Sequence, residues 1–186
     1  MIENRKLAGR SILITGAASG IGKATAKLFA GHGAKLGLLD IAEGGLTRLG
    51  DMLGVPTALC DLADSRATEG AVQRLAVELG RIDGVINCAG VGLSAKVEDV
   101  TDEIWVHTLE INLSAPFRIC RAALPWLRRE PSATIVNVAS AQGLLPNIPG
   151  VSRYAASKAG LIGFTKALAA ELGPDIRGNI LCSGLT

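Results

Sequence analysis

Residues 13–25 read LITGAASGIGKAT. An apolar run feeds a turn holding Gly16, Gly20 and Gly22, with a lysine and a threonine close behind. A glycine-rich turn that opens a helix leaves backbone N–H groups free and aims the helix N-terminus outward, an arrangement suited to phosphate. A nucleotide-hydrolysing loop needs four residues between its first glycine and a Gly-Lys-Ser/Thr triplet. Here Gly22-Lys23 is followed by Ala24, and Ala17 and Ala18 stand where that first glycine belongs, so this reading fails twice. The Gly-x-Gly-x-x-Gly spacing is absent too. What remains is Gly16-x3-Gly20-x-Gly22. In a dinucleotide turn one glycine allows the bend, another lets backbone approach a pyrophosphate, and a third permits close helix–strand contact. A glycine trio alone is a weak signal, so the rest of the chain has to decide.

Outward from this turn, short apolar runs alternate with longer amphipathic stretches. Strands are expected at 11–15, 34–40, 56–61, 84–90, 134–140 and 178–183, and helices at 20–31, 43–52, 64–79, 102–129 and 154–172, the fourth disturbed by Pro116 and Pro125. The strands are continuous apolar runs, which predicts an α/β protein built on a doubly wound parallel sheet with helices on both faces. No repeat or linker divides residues 1–186, and a single domain is expected. Helix 154–172 is apolar on nearly every side, so it is buried more than once. Either the sheet and a neighbouring helix suffice, or another subunit covers it; the second reading is favoured.

Nineteen basic against seventeen acidic residues leave a net charge of +2, which predicts neither a nucleic-acid partner nor an anionic membrane surface. The opening MIENRKLAGR lacks the apolar core of a signal peptide, and no later run is long enough to span a bilayer. Cys60, Cys88, Cys120 and Cys182 are widely spaced, and His32 and His107 sit in no metal-ligand pattern. The expectation is a soluble cytoplasmic protein with reduced thiols and no metal.

Asp40 ends the second strand, 18 residues past Gly22. A carboxylate there can accept both hydroxyls of an adenosine ribose and would repel a 2′-phosphate, which points to NAD over NADP. In YAASK, Tyr154 and Lys158 lie four apart on one helical face. A lysine ammonium near a phenol favours the phenolate and makes it a usable acid or base. Such a pair is common on helix surfaces. Ser140, at the end of the fifth strand, changes the odds, because open parallel sheets bind ligands at their strand C-termini. Gly16, Asp40, Asp61, Asn87 and Gly90 gather at the same ends.

Taken together these segments resemble the short-chain dehydrogenase/reductase family, from about Gly9 to the last residue. TGAASGIG is similar to its cofactor loop, CDLAD to its adenine-contacting segment, and NCAG to its Asn-Asn-Ala-Gly. EINLSAPF carries Asn112, NVASAQG carries Ser140, and Tyr154-x3-Lys158 completes a tetrad. The resemblance implies a Rossmann-type sheet and a homodimer or homotetramer. It implies NAD held by Gly16, Ser19, Gly20, Ile21, Gly22, Asp40, Asp61, Leu62, Asn87, Ala89, Gly90, Tyr154 and Lys158. It also assigns roles. Tyr154 exchanges a proton with the substrate oxygen, Lys158 binds nicotinamide ribose and acidifies the phenol, Ser140 orients the carbonyl or alcohol, and Asn112 holds a relay water. Ser140, Gln142, Leu144 and Tyr154 are the expected substrate pocket, with Val91, Leu93, Leu145 and Asn147 as further lining.

Two departures stand out. Ser183 occupies the usual place of a proline in a Pro-Gly turn, and the sequence stops at Thr186, before the substrate-covering loop and seventh strand of relatives; a truncated record is expected. The leading reading is an NAD-dependent oxidoreductase acting on a secondary alcohol or its ketone. The alternatives are a 3-oxoacyl-thioester reductase and a dinucleotide-binding module without turnover.

Overall fold

A computed structural model describes residues 5–92 and 94–184 of the chain. Its strands are β1 Ser11–Thr15, β2 Lys35–Asp40, β3 Thr57–Leu59, β4 Gly84–Asn87, β5 Ala133–Ser140 and β6 Ile176–Ser183. Its helices are α1 Gly20–Gly31, α2 Glu43–Leu53, α3 Ser65–Leu79, α4 Asp102–Leu109, α5 Ala115–Leu127 and α6 Ser152–Leu172. The strands form one sheet in the order β3-β2-β1-β4-β5-β6, every neighbouring pair parallel. The winding direction reverses between β1 and β4. The connections leaving the carboxyl ends on either side of such a reversal run to opposite faces of the sheet and leave a crevice.

Alternate residues of the central strands feed two cores. On one face Ile12, Ile14, Leu36, Leu38 and Ile86 pack under α1 and α2, through Ala26, Leu46 and Leu49. On the other, Leu13, Leu39, Val85 and Ile135 pack under α3 and α5, through Val72, Leu75, Ile119 and Leu127. Coverage is uneven beyond β5. Ile176 and Ile180 of β6 face the α6 side, while Arg177, Asn179 and Leu181 on the opposite face are exposed. The edge strand thus alternates instead of reading apolar throughout.

The helical stretch expected over 102–129 is one rod with a defect. A π-helical turn, Glu110–Ser114, joins α4 to α5, with the Ala115 N–H donating to the Glu110 carbonyl. Pro116 has no N–H to return to the carbonyl four residues back, that of Asn112, so an undisturbed α ladder is impossible here. The widened turn absorbs the defect without breaking the rod. Pro125 sits in the last turn of α5 and is tolerated. The rod and α6 lie side by side and run the same way, with Thr108 beside Arg153, Asn112 beside Ser157 and Leu113 beside Gly160.

At the opposite, N-terminal end of the sheet, a cluster of charges fixes the strand starts. Buried Asp83 pairs with Arg10, lies 3.2 Å from Arg81, and accepts the Ser11 N–H at 2.9 Å. Arg81 also pairs with Glu130, and Arg10 donates to Ser132 at 3.0 Å. The carboxylate thereby ties the starts of β1 and β4, and the two arginines extend the link to the residues before β5. Asp83→Asn is expected to lower stability by about 2–3 kcal/mol, measured by urea unfolding, since buried donors lose their charged acceptor.

Candidate active site

The crevice at the β1/β4 reversal is built by two strand ends in close contact. Gly16 has φ +65°, and a Cβ there would lie 2.8 Å from the Cα and N of Ala89. Thr15 closes the same junction, its hydroxyl accepting the Cys88 and Ala89 N–H groups at 3.2 and 3.1 Å. Gly22 packs onto the turn as well, where a Cβ would sit 2.2 Å from the Gly16 carbonyl oxygen. Gly20, by contrast, faces open space. The three glycines therefore divide their work between tight packing and an unobstructed backbone.

Above this junction lies a cavity of 500 Å³ lined by Gly16, Ser19, Gly20, Ile21, Gly22, Asp40, Asp61, Leu62, Ala89 and Gly90, together with Ile41, Cys60, Cys88, Val91, His107 and Ile111. Its features fit a dinucleotide. The Ser19 side chain caps no helical N–H, and the first turn of α1 carries no acidic residue, so the helix end is free for an anion. Asp40 accepts the Ala18 N–H at 2.8 Å and the Ala42 N–H at 2.9 Å, one on each oxygen. Each oxygen keeps a lone pair for a hydroxyl donor. Asp61 is fixed in turn by the Ala63 N–H at 2.9 Å. Asn87 is different. It lines neither this cavity nor the next, and its buried amide donates to Asn137 at 2.7 Å, beneath the crevice. As the last residue of β4 it is buried and joins β4 to β5.

A second cavity, 430 Å³, shares Ile21, Cys88, Gly90 and Val91 with the first and continues over β5 and β6. Ser140, Gln142, Tyr154 and Lys158 all line it, with Gly92, Ser94, Ile148, Val151 and Ser183. Lys158 donates to the Val138 carbonyl at 2.9 Å, and its Nζ lies 5.7 Å from the centre of the Tyr154 ring. Burial lowers the Lys158 ammonium to about 8. Burial also pushes the Cys88 thiol up to about 11, against the pull of Lys158. The Ser140 hydroxyl accepts the Gln142 N–H at 3.2 Å and keeps its own proton to donate.

Asn112, in the π turn, is wholly buried and spends its amide on the protein. Its Oδ1 accepts the Val91 N–H at 2.8 Å, and its Nδ2 donates to the Val91 carbonyl at 2.8 Å and to the Ser157 hydroxyl at 2.9 Å. Ser157 passes its own proton to the Tyr154 carbonyl at 2.7 Å. Asn112 thus ties the segment after β4 to the helix that carries Tyr154. Gln142 is committed too, its amide bonded to the Asn147 side chain at 2.8 Å and its carbonyl oxygen accepting the Asn147 N–H at 3.1 Å.

Leu144, just after the 3-10 turn 141–143, is 61% exposed and lines neither cavity. Leu145 is exposed as well, and Leu93 lies outside the described residues. Sequence reasoning missed Thr15, Cys88, His107 and Ser157. Only Ser157, inside YAASK, carried a local signal. Among the described residues no three His, Cys, Asp or Glu side chains are grouped to hold a metal ion, and no helix is long and apolar enough to cross a membrane.

Fold and site define a doubly wound α/β protein whose nucleotide crevice opens into a Tyr–Lys–Ser chamber. Residues 10–186 match the short chain dehydrogenase family model, and the chain belongs to that family of nicotinamide-dinucleotide-dependent oxidoreductases. The 3-oxoacyl-[acyl-carrier-protein] reductase FabG of Thermotoga maritima is 38% identical over 185 residues, 96% of this chain and 75% of its own. Carveol dehydrogenase from Mycobacterium avium, solved in complex with NAD, superposes with a TM-score of 0.89 at 30% identity, covering 94% of this chain and 70% of its own. A Shigella flexneri member complexed with NADP gives 0.91 at 29% identity, covering 97% and 79%.

The burial of Lys158 has a measurable consequence. Without ligand its ammonium should titrate near pH 8, read by NMR of labelled lysine. The unfolded chain holds that proton to higher pH, about 10.4, so between the two values the unfolded state binds more protons and folding gains with rising pH. Relative to Lys158→Met, the native protein should therefore gain thermal stability from pH 8 to pH 10; a constant difference would contradict this burial.

Proposed function

We propose that this chain is an NAD-dependent oxidoreductase that interconverts a secondary alcohol and its ketone. One observation carries the reading. Tyr154, Lys158 and Ser140 converge on a chamber that opens directly into the glycine-loop crevice holding Asp40. When bound, the nicotinamide supplies the hydride acceptor or donor. The protein's share is placement and charge. The Tyr154 hydroxyl takes the proton from an alcohol, or returns it to a carbonyl. Lys158, held by Val138, presents positive charge beside the ring and donors for ribose hydroxyls. Ser140 donates to the substrate oxygen and fixes its direction. Asn112 acts on this machinery by position, because its side chain is fully used within the protein. The water expected of it belongs at its carbonyl, which Pro116 leaves without an α-helical donor.

Asp40 supports NAD over NADP. Its fixed carboxylate suits ribose hydroxyls and repels a 2′-phosphate. A 3-oxoacyl-thioester reductase is the second reading, supported by the similarity to the Thermotoga maritima enzyme. The outward side of α6 carries the small residues Ala156, Ala159, Gly163, Ala167 and Ala170 together with Lys166 and Glu171, and the small ones leave room for a second copy packed there in a homodimer or homotetramer. Four unpaired thiols suit the reducing cytoplasm.

Tyr154→Phe should reduce kcat by about 10³-fold while NADH affinity, read by fluorescence, stays within about threefold. Retained turnover would remove Tyr154 from its role. Asp40→Ala should cut the NAD/NADP preference about 10-fold or more, compared through the two Kd values. An unchanged ratio would instead assign cofactor choice to other residues.

A further inference from the structure

The geometry points to Ser183 as a second ligand-binding hydroxyl, reading a neutral oxygen acceptor beside the one that Ser140 holds; the inference rests on the oxidoreductase reading above. The β5/β6 register sets Ser140 directly opposite Ser183, at the carboxyl ends of adjacent parallel strands. Neighbouring strands lie about 4.8 Å apart, and side chains at matched positions leave the sheet on the same side. Both serines line the chamber of Tyr154 and Lys158. Among the described residues Ser140 accepts one N–H, and the one bond Ser183 donates, to the Ala139 carbonyl, is long at 3.4 Å. A bond of that length is easily exchanged for a better acceptor. Gln142, the other polar side chain at this end, is bound to Asn147 and has no comparable freedom.

Two serines a strand apart suit a ligand with a second oxygen close to the reacting one. That oxygen has two sources: a hydroxyl or carbonyl on the substrate carbon next to the reacting one, or the carboxamide of the nicotinamide. The chemistry is shared, a neutral acceptor taking one O–H donor. A position unable to donate from its side chain would leave that acceptor without its protein donor.

The test compares the unsubstituted protein with Ser183→Ala and Ser183→Thr, the second keeping the hydroxyl. NADH and ADP-ribose are titrated against each by fluorescence and calorimetry, and kcat/KM is measured for 2,3-butanediol and 2-butanol. A carboxamide contact weakens NADH, and not ADP-ribose, about 5- to 10-fold in the alanine variant. A substrate contact lowers the diol-to-monoalcohol selectivity by a similar factor while NADH binding holds. In both cases threonine restores the value. Equal NADH affinity and equal selectivity in all three proteins overturn the proposal, as does a loss that threonine fails to restore. Failure of the functional reading looks different, since then the unsubstituted protein itself turns over neither alcohol, while the NADH comparison still judges Ser183.

Discussion

The contact on which the rest depends is the approach of the β1 and β4 ends, where Gly16 lies against Ala89 with no room for a Cβ. A parallel sheet that reverses its winding splays its connections apart, and the crevice left behind is only as well shaped as the two strand ends that flank it. Here they are locked by the Thr15 hydroxyl, which takes two consecutive N–H groups from the far side. That lock directs Gly90 and Val91 over the sheet toward Lys158 and Asn112. The two cavities meet at this segment, so on the proposed reading one junction sets the distance between the cofactor crevice and the Tyr154–Lys158 chamber.

The chamber is held by a second device of similar economy. Asn112 grips Val91 through both its donor and its acceptor, and reaches Ser157, which is bonded to the Tyr154 backbone. Loop, rod and α6 are thereby joined through one buried amide. Satisfied buried amides of this kind rigidify their surroundings, and an unsatisfied one would be costly. The wide turn at Glu110–Ser114 belongs to the same arrangement, because it sets Asn112 in the rod at the level of Ser157 and releases its carbonyl from the α ladder.

Much of this was legible from local spacing. The glycines and Asp40 meet in one cavity, and Tyr154 with Lys158 in the next, through separations of a few residues or through strand ends, which the linear sequence preserves. Motif membership did not separate Asn87, which ends β4 and bonds to Asn137 inside the sheet, from Ala89 and Gly90, which follow the strand and line the crevice. Nor does composition mark the 3-10 turn at 141–143, after which Leu144 is exposed. The prolines at 116 and 125 suggested disturbance in the right helix but not its form. Thr15 and Cys88 became readable only when strands distant in sequence were set side by side.

Register adds a consequence that motifs do not contain. α6 supplies Tyr154 and Lys158 to the chamber, and Ser140 and Ser183 reach it from strand ends. Helix residues can be exchanged at a spacing of three or four without moving the sheet. Strand-end residues are instead coupled across the ladder, so the side chain beside Ser140 is set by pairing with β6 and by nothing in the sequence near Ser140. On the proposed reading, Tyr154 and Lys158 can stay constant while β6 changes what stands beside Ser140, so ligand choice would follow the β5/β6 pairing as much as the loops above it.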